Sequence, residues 1–223
     1  VSRLCHIVNS SLPKRKKIAL TLGANSSPID DIRSIVNRSS GNTGWSISEY
    51  LYRMGHDVIC IAGNTSATPG IKLPDVRHCA SPGEMLNEAK KVSMEESPDV
   101  WIFSAAVLDY VPEVIAGKIP SGDTNISISL VPTKKHIPEI LTNTEGCISI
   151  GFKLESNIGY PELIDKARLQ MDRYSLDSVV ANRLQDLDDP DAPRCWLVDS
   201  NGSTTEIASL QSLCLKIEEY ISS

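Results

Sequence analysis

Five short apolar runs recur along the chain: IALTLG (18–23), DVICIAG (57–63), DVWIFSAAV (99–107), CISIGFKLE (147–155) and DSVVAN (177–182). Most are too evenly apolar to alternate, which is the pattern of strands buried on both faces. Helical spacing fills the gaps between them. TGWSISEYLYRMGH (43–56) sets Trp45, Ile47, Leu51 and Met54 at near-helical intervals and stops at Gly55. PGEMLNEAKKVSMEE (82–96) carries Pro82 near its start, and helices are also expected over 136–144, 160–175 and 209–222. Strands that are apolar throughout and alternate with helices predict an α/β fold, a Rossmann-like doubly wound sheet that is mostly parallel. VRHCA (76–80) and RCWLVDS (194–200) supply further strands, and Asn201-Gly202 marks a hairpin.

Two segments break this rhythm. Residues 1–13 have no clean period and lead into the basic run Lys14-Arg15-Lys16-Lys17; they are expected to be a tail or linker before a single domain at 14–223. After Asp109 come Pro112, Gly117, Pro120 and Gly122, then NISISLVPT (125–133), which alternates as a half-exposed strand does. Residues 110–135 therefore read as an inserted arm with a flexible loop.

Composition excludes several classes. The 223 residues carry a net charge of −6, against the basic face of a general nucleic-acid binder. No apolar run reaches the roughly 18 residues of a membrane span, and no charged-then-apolar N-terminal signal is visible. Six scattered cysteines without a CxxC pair argue against zinc or iron–sulfur ligation. A reducing, cytoplasmic compartment is the expectation.

In a doubly wound sheet, ligands bind beyond the carboxyl ends of the strands. Four stretches stand there: Gly23 to Asn25, Ser104 to Asp109, Gly151 to Glu155, and Ala181 to Arg183. The polar stretch DIRSIVNRSSGNTG (31–44) follows the first. Its Ser39, Gly41 and Gly44 precede a helix whose free amides attract anions, although Ser39 or Thr43 could equally cap that helix. Arg33 and Asn37 would share one face of a helical turn; an ion pair with Asp30 and a turn asparagine are the plainer readings. Ala105, Ala106 and Asp109 leave room for a ligand, and Lys118 lies in the AGKIPSG loop. Neither a P-loop nor GxGxxG after the first strand is present.

The pieces SPIDDIRSIVNRSSGNTG, SAAVLDY, GKIPSG, IPEIL, IGFKLES and VVAN resemble, in order and spacing, the phosphopantothenoylcysteine synthetase (phosphopantothenate–cysteine ligase) family. That resemblance covers about residues 18 to 185. It implies a ligase that joins 4′-phosphopantothenate to L-cysteine through an acyl-nucleotidylate, using CTP or ATP and Mg2+, as a homodimer. Carried over by position, Asn37 and Lys118 would be catalytic, with Lys118 on a flap. Arg33, Asn37, Ala105, Ala106 and Asp109 would bind the acid substrate. Gly23, Ser39, Gly41, Gly44, Pro138, Glu139, Ile140, Leu141, Phe152 and Asn182 would bind the nucleotide. No metal ligand is assigned, and no nucleic-acid or membrane partner is expected.

Three positions depart from the family pattern: Gly23-Ala24-Asn25 replaces Gly-Gly-Thr, Lys118 stands without further flap lysines, and Arg183 follows Asn182 where an aspartate is usual. NRSSG leans toward CTP. Two alternatives compete with the ligase. A short-chain-type dehydrogenase would need Tyr-x-x-x-Lys, which none of the six tyrosines provides. A ligase-like binding subunit without catalysis is the other.

Overall fold

The computed structural model describes all residues except 123, 124, 143 and 188. The parts of the expected arm and of the expected 136–144 helix that fall on 123, 124 and 143 lie outside the described residues. The strands are β1 (Lys17–Leu22), β2 (Ser26–Pro28), β3 (Ser34–Val36), β4 (Asp57–Ala62), β5 (Asp75–His78), β6 (Val100–Phe103), β7 (Tyr110–Pro112), β8 (Leu130–Pro132), β9 (Ile148–Glu155), β10 (Ser178–Arg183), β11 (Cys195–Asp199) and β12 (Thr204–Ile207). The helices are α1 (Ser2–Asn9), α2 (Asn42–Arg53), α3 (Pro82–Glu96), α4 (His136–Leu141), α5 (Tyr160–Tyr174) and α6 (Leu210–Ser222).

Eight strands form one sheet in the order β12-β11-β10-β9-β6-β1-β4-β5. All neighbouring pairs from β10 to β5 are parallel, while β11 and β12 add an antiparallel edge. The chain runs outward from β1 to β4 and β5, then returns to β6 on the other side of β1. The switch point therefore lies between β1 and β6, where their carboxyl ends open a crevice. Alternate strand residues serve opposite faces. Ile18, Leu20 and Leu22 pack with α2 and α6 through Trp45, Leu51, Leu213 and Ile217. On the other face Ala19, Ile59 and Trp101 pack with α3, α4 and α5 through Met85, Ile140 and Leu163. Each buried leucine or isoleucine contributes about 1.5–3 kcal/mol relative to exposure.

Two segments differ from expectation. Only Leu130–Pro132 of the expected 125–133 strand forms a ladder, pairing with β7 as a two-stranded ribbon outside the main sheet. Its alternation has no packed face to enforce it: β8 is exposed throughout. Arg33 to Asn37 is not a helical turn, because Ser34–Val36 pairs antiparallel with Ser26–Pro28. Within residues 1–13, α1 forms and docks on α2. His6 stacks on Tyr52 with centroids 4.1 Å apart, and its Nδ1 lies 2.9 Å from the Tyr52 carbonyl.

Beneath α1, His56 is fully buried. Its Nδ1 accepts the Lys16 amide at 3.0 Å, so the ring proton resides on Nε2, 3.2 Å from Glu218 Oε1. Arg15 completes the group, with Nη1 3.1 Å from the same oxygen. Burial pushes the His56 pKa below its usual value. All six cysteines are free; four are buried, and Cys5 and Cys147 are half-buried. Burial pushes the thiols of Cys60, Cys147 and Cys195 up to about 12.

Candidate active site

A cleft of about 1150 Å3 opens along the carboxyl ends of β1, β6, β9 and β10. Helix α2 points its amino end into it. The N-cap is Gly41, at φ +79°, and no side chain caps the helix. Neither the Ser39 nor the Thr43 hydroxyl closes the end, while Ser40 Oγ accepts from the Asn42 amide at 3.3 Å. Ser39 Oγ instead accepts from the Gly41 amide at 3.3 Å, while Thr43 Oγ1 accepts from Arg194 Nη2 at 3.1 Å. The left-handed turn at Gly41 is open to glycine at little cost. A Cβ there would stand 2.5 Å from Thr65 Cγ2. At Gly44 the reason is packing: a Cβ would meet Leu22 Cβ at 2.4 Å, so glycine lets α2 lie directly on β1. The result is a cradle of amides and a helix dipole that favours anions.

Gly23 begins the neighbouring wall. Ala106 donates its amide to the Gly23 carbonyl at 2.8 Å, joining the loops that follow β1 and β6. Asn37 is tied to the same place, donating Nδ2 to the Ala106 carbonyl at 3.1 Å. Asp109 pairs with Lys135 at 2.6 Å. The Asp109 carboxylate raises the Lys135 pKa, so the lysine stays charged at the cleft rim. On the opposite wall Phe152 and Asn182 face the cleft, and Gln170 Nε2 donates to the Phe152 carbonyl at 3.3 Å. Glu155 is shared by Lys153 (2.8 Å) and Lys166 (3.1 Å), which hold its carboxyl below the usual range. Lys166 also pairs with Glu162 at 3.3 Å, so these charges balance, and Arg173 adds a cation to the lining.

Of the residues singled out in the sequence, Gly23, Ser39, Gly41, Gly44, Ala105, Ala106, Asp109, Phe152 and Asn182 line this cleft. Pro138 to Leu141 do not; His136 and Ile137, at the start of α4, stand there in their place. Ile140 is core, and Glu139 pairs with Lys90 of α3. Arg33, Asn37 and Lys118 also lie outside the lining. Arg33 and the loop that carries Lys118 meet each other instead, through Asp30. Sequence reasoning did not single out Arg38, Lys134, Arg173 or Arg194, all in the lining. Arg38 adjoins Ser39 and could have been noticed; Arg194 stands 151 residues from Thr43, and only the fold joins them. At the position where the family pattern has an aspartate, Arg183 chelates the buried Asp186 at 2.6 and 3.1 Å and covers Trp196. Among the described residues, no three His, Cys, Asp or Glu converge as a metal site.

A model of the DNA/pantothenate metabolism flavoprotein C-terminal domain family matches residues 13–219. The chain belongs to that family. It is 33% identical over 171 residues to the coenzyme A biosynthesis bifunctional protein CoaBC of Thermococcus kodakarensis, covering 76% of this chain and 42% of that protein. The Methanocaldococcus jannaschii protein of the same name is 30% identical over 179 residues, covering 80% and 43%. The chain thus spans less than half the length of these curated relatives. Among solved structures, the DNA/pantothenate metabolism flavoprotein of Streptococcus pneumoniae superposes with a TM-score of 0.80 at 26% identity, covering 92% of this chain and 99% of that one. A Cab2 variant in complex with phosphopantothenate-cysteine shares the fold, with a TM-score of 0.76 at 18% identity, covering 99% and 92%. Among the described residues no helix is long and apolar enough to cross a membrane.

Proposed function

We propose that this chain is a phosphopantothenate–cysteine ligase that acts through an acyl-nucleotidylate. The observation that carries the reading is the uncapped amino end of α2, which opens into the cleft beside Asn37 and the loop at Ala105-Ala106. Family membership supports it, as do relatives whose names place them in coenzyme A biosynthesis. In the first step a carboxylate oxygen of 4′-phosphopantothenate attacks the α-phosphorus of CTP or ATP, and the bond to pyrophosphate breaks. In the second, the cysteine amine attacks the acyl carbon, and the mononucleotide departs with the bonding electrons of the acyl–oxygen bond. Ser39, Gly41 and Gly44 cradle the phosphates, and Gly23 lies close by. Arg194, beside Thr43, adds a planar donor fork to that end.

Asn37 donates to the acyl oxygen as charge builds on it. Ala105, Ala106 and Asp109 hold the pantothenate chain, and Phe152, Asn182 and the start of α4 at His136 and Ile137 border base and ribose. Arg33 contacts the acid substrate, and Lys118 closes over the intermediate. Magnesium would be held mainly by the triphosphate oxygens, where it would offset phosphate charge. Residues 14–223 act as one ligase domain, with 1–13 as a docked connecting segment. Homodimerisation through the arm fits its exposed Tyr110, Val114, Ile126 and Leu130, and the cytoplasm is the compartment.

The test is turnover. The protein is incubated with 4′-phosphopantothenate, cysteine, magnesium and either CTP or ATP, and pyrophosphate and the amide product are followed. Product with one nucleotide supports the reading and identifies the base. No product with either nucleotide overturns it.

A further inference from the structure

Asp30 lies in the turn between β2 and β3, and its side chain is fully buried. A carboxylate there is tolerable only when its oxygens are satisfied. Oδ1 accepts from the Ile32 amide at 2.8 Å and the Arg33 amide at 2.7 Å. Oδ2 accepts from Arg33 Nη1 at 2.6 Å and from the Ile119 amide at 3.0 Å. The first pair is an ordinary Asx-type turn, which asparagine would serve as well. The second pair is different. It joins the Arg33 guanidinium to a backbone amide that lies 89 residues along the chain from Asp30, next to Lys118. An asparagine NH2 in place of Oδ2 would face two donors with a third.

Other bonds follow the same line. Arg33 Nη1 donates to the Ile119 carbonyl at 3.3 Å, Ile115 donates its amide to Ile29 at 2.9 Å, and Asp31 donates its amide to Gly117 at 3.2 Å. The loop at 115–119 is therefore laid along 29–33. The Arg33 side chain remains 41% exposed, so one edge of its fork is anchored while the other is open to a ligand. Hydrogen bonding, with the Ile119 amide foremost, holds the Asp30 carboxyl down to about 2, and it stays anionic through the neutral range.

We infer that Asp30 is a positioning residue that fixes the Arg33 guanidinium and the Lys118 loop as one unit, so that both meet the phosphorylated acid substrate together. What Arg33 and Lys118 touch rests on the ligase reading; the clamp itself does not.

The experiment uses the full chain and Asp30→Asn. Three results are expected. The KM for 4′-phosphopantothenate rises about tenfold or more, as for loss of a charged hydrogen bond, while the nucleotide KM moves by less than about twofold. Arg33→Ala alone costs about tenfold or more, yet adds less than about threefold in the Asp30→Asn background. Trypsin cuts after Lys118 at least about tenfold faster in the variant. Unchanged KM, or Asp30→Asn and Arg33→Ala effects that multiply, would overturn the inference.

Amide hydrogen exchange on the unaltered protein decides the matter should the variant fail to fold. The Ile119 amide should exchange at least about tenfold more slowly than those of Lys118 and Ser121. Equal rates would refute the clamp, whether or not the chain ligates. Slow Ile119 exchange in a chain without turnover would instead refute the ligase reading and leave the clamp standing.

Discussion

Replacing Gly44 by alanine adds one methyl where α2 rests on β1. The new Cβ would stand 2.4 Å from Leu22 Cβ and 3.0 Å from Ser104 Oγ, whereas ordinary contact begins at 3.4 Å. Leu22 is fully buried and cannot swing away, so α2 must retreat by about 1 Å. Overpacking of this kind costs about 1–3 kcal/mol. At roughly 2–4 °C per kcal/mol for a chain of this size, the melting midpoint should fall by about 2–12 °C. The same retreat carries the amides of the phosphate cradle with it. A displacement of about 1 Å in positioning groups costs on the order of a hundredfold in rate, which should appear in kcat/KM for the nucleotide. Gly83→Ala is the control, since a Cβ there meets nothing within 4 Å in the first turn of α3; it should be neutral or stabilise by up to about 1 kcal/mol. Scanning calorimetry and pyrophosphate release, run on both variants, test the pair. A Gly44→Ala protein that melts lower but uses nucleotide normally would remove α2 from the phosphate site. One that melts and turns over as the unaltered chain does would refute the packing argument itself.

Other outcomes follow from the same geometry. Asn37→Ala should still release pyrophosphate but accumulate the acyl-nucleotidylate, detectable by quenched-flow chromatography; equal loss of both half-reactions would mean its role is misassigned. Arg194→Ala should raise the nucleotide KM about tenfold and leave the acid-substrate KM alone, because the guanidinium stands at Thr43 rather than at Asn37. Burial pushes His56 down and His136 down to about 4. The unfolded chain then takes up protons that the folded chain refuses, so stability is complete above about pH 6.5 and is lost as pH falls toward 4. Midpoints measured at about pH 7.5, 6 and 5 should descend in that order, His136 alone accounting for roughly 2 kcal/mol by pH 5; a midpoint that climbs toward pH 5 would contradict the assignment of both rings as neutral.

The parallel strands β1, β4, β6, β9 and β10 were legible because they are largely apolar on both faces, whereas the edge strand β5 carries Asp75, Arg77 and His78. Strands β2 and β3 were not, since three residues carry no period; they pair only because Asp30 shapes the turn between them. The 125–133 alternation misled for a related reason. Alternation predicts a strand only where a core face selects one parity, and the arm has no such face. The cleft was legible from strand ends and glycines, whose backbone demands are local. Its cations were not. An arginine such as Arg194 reads in sequence as a solvated charge, and only the fold brings it to Thr43; Lys166 has a partner on its own helix in Glu162, but its pairing with Glu155 of β9 needs the fold.

The cysteines have a further consequence. The proposed substrate and product each carry a free thiol, and such molecules exchange with any accessible protein thiolate or disulfide. At a pKa of about 12, roughly one Cys60, Cys147 or Cys195 in 10⁵ is a thiolate at pH 7. The attacking form is therefore scarce, and at Cys60 and Cys195 it is buried as well. These three side chains are poor partners for mixed disulfides with the proposed reactants.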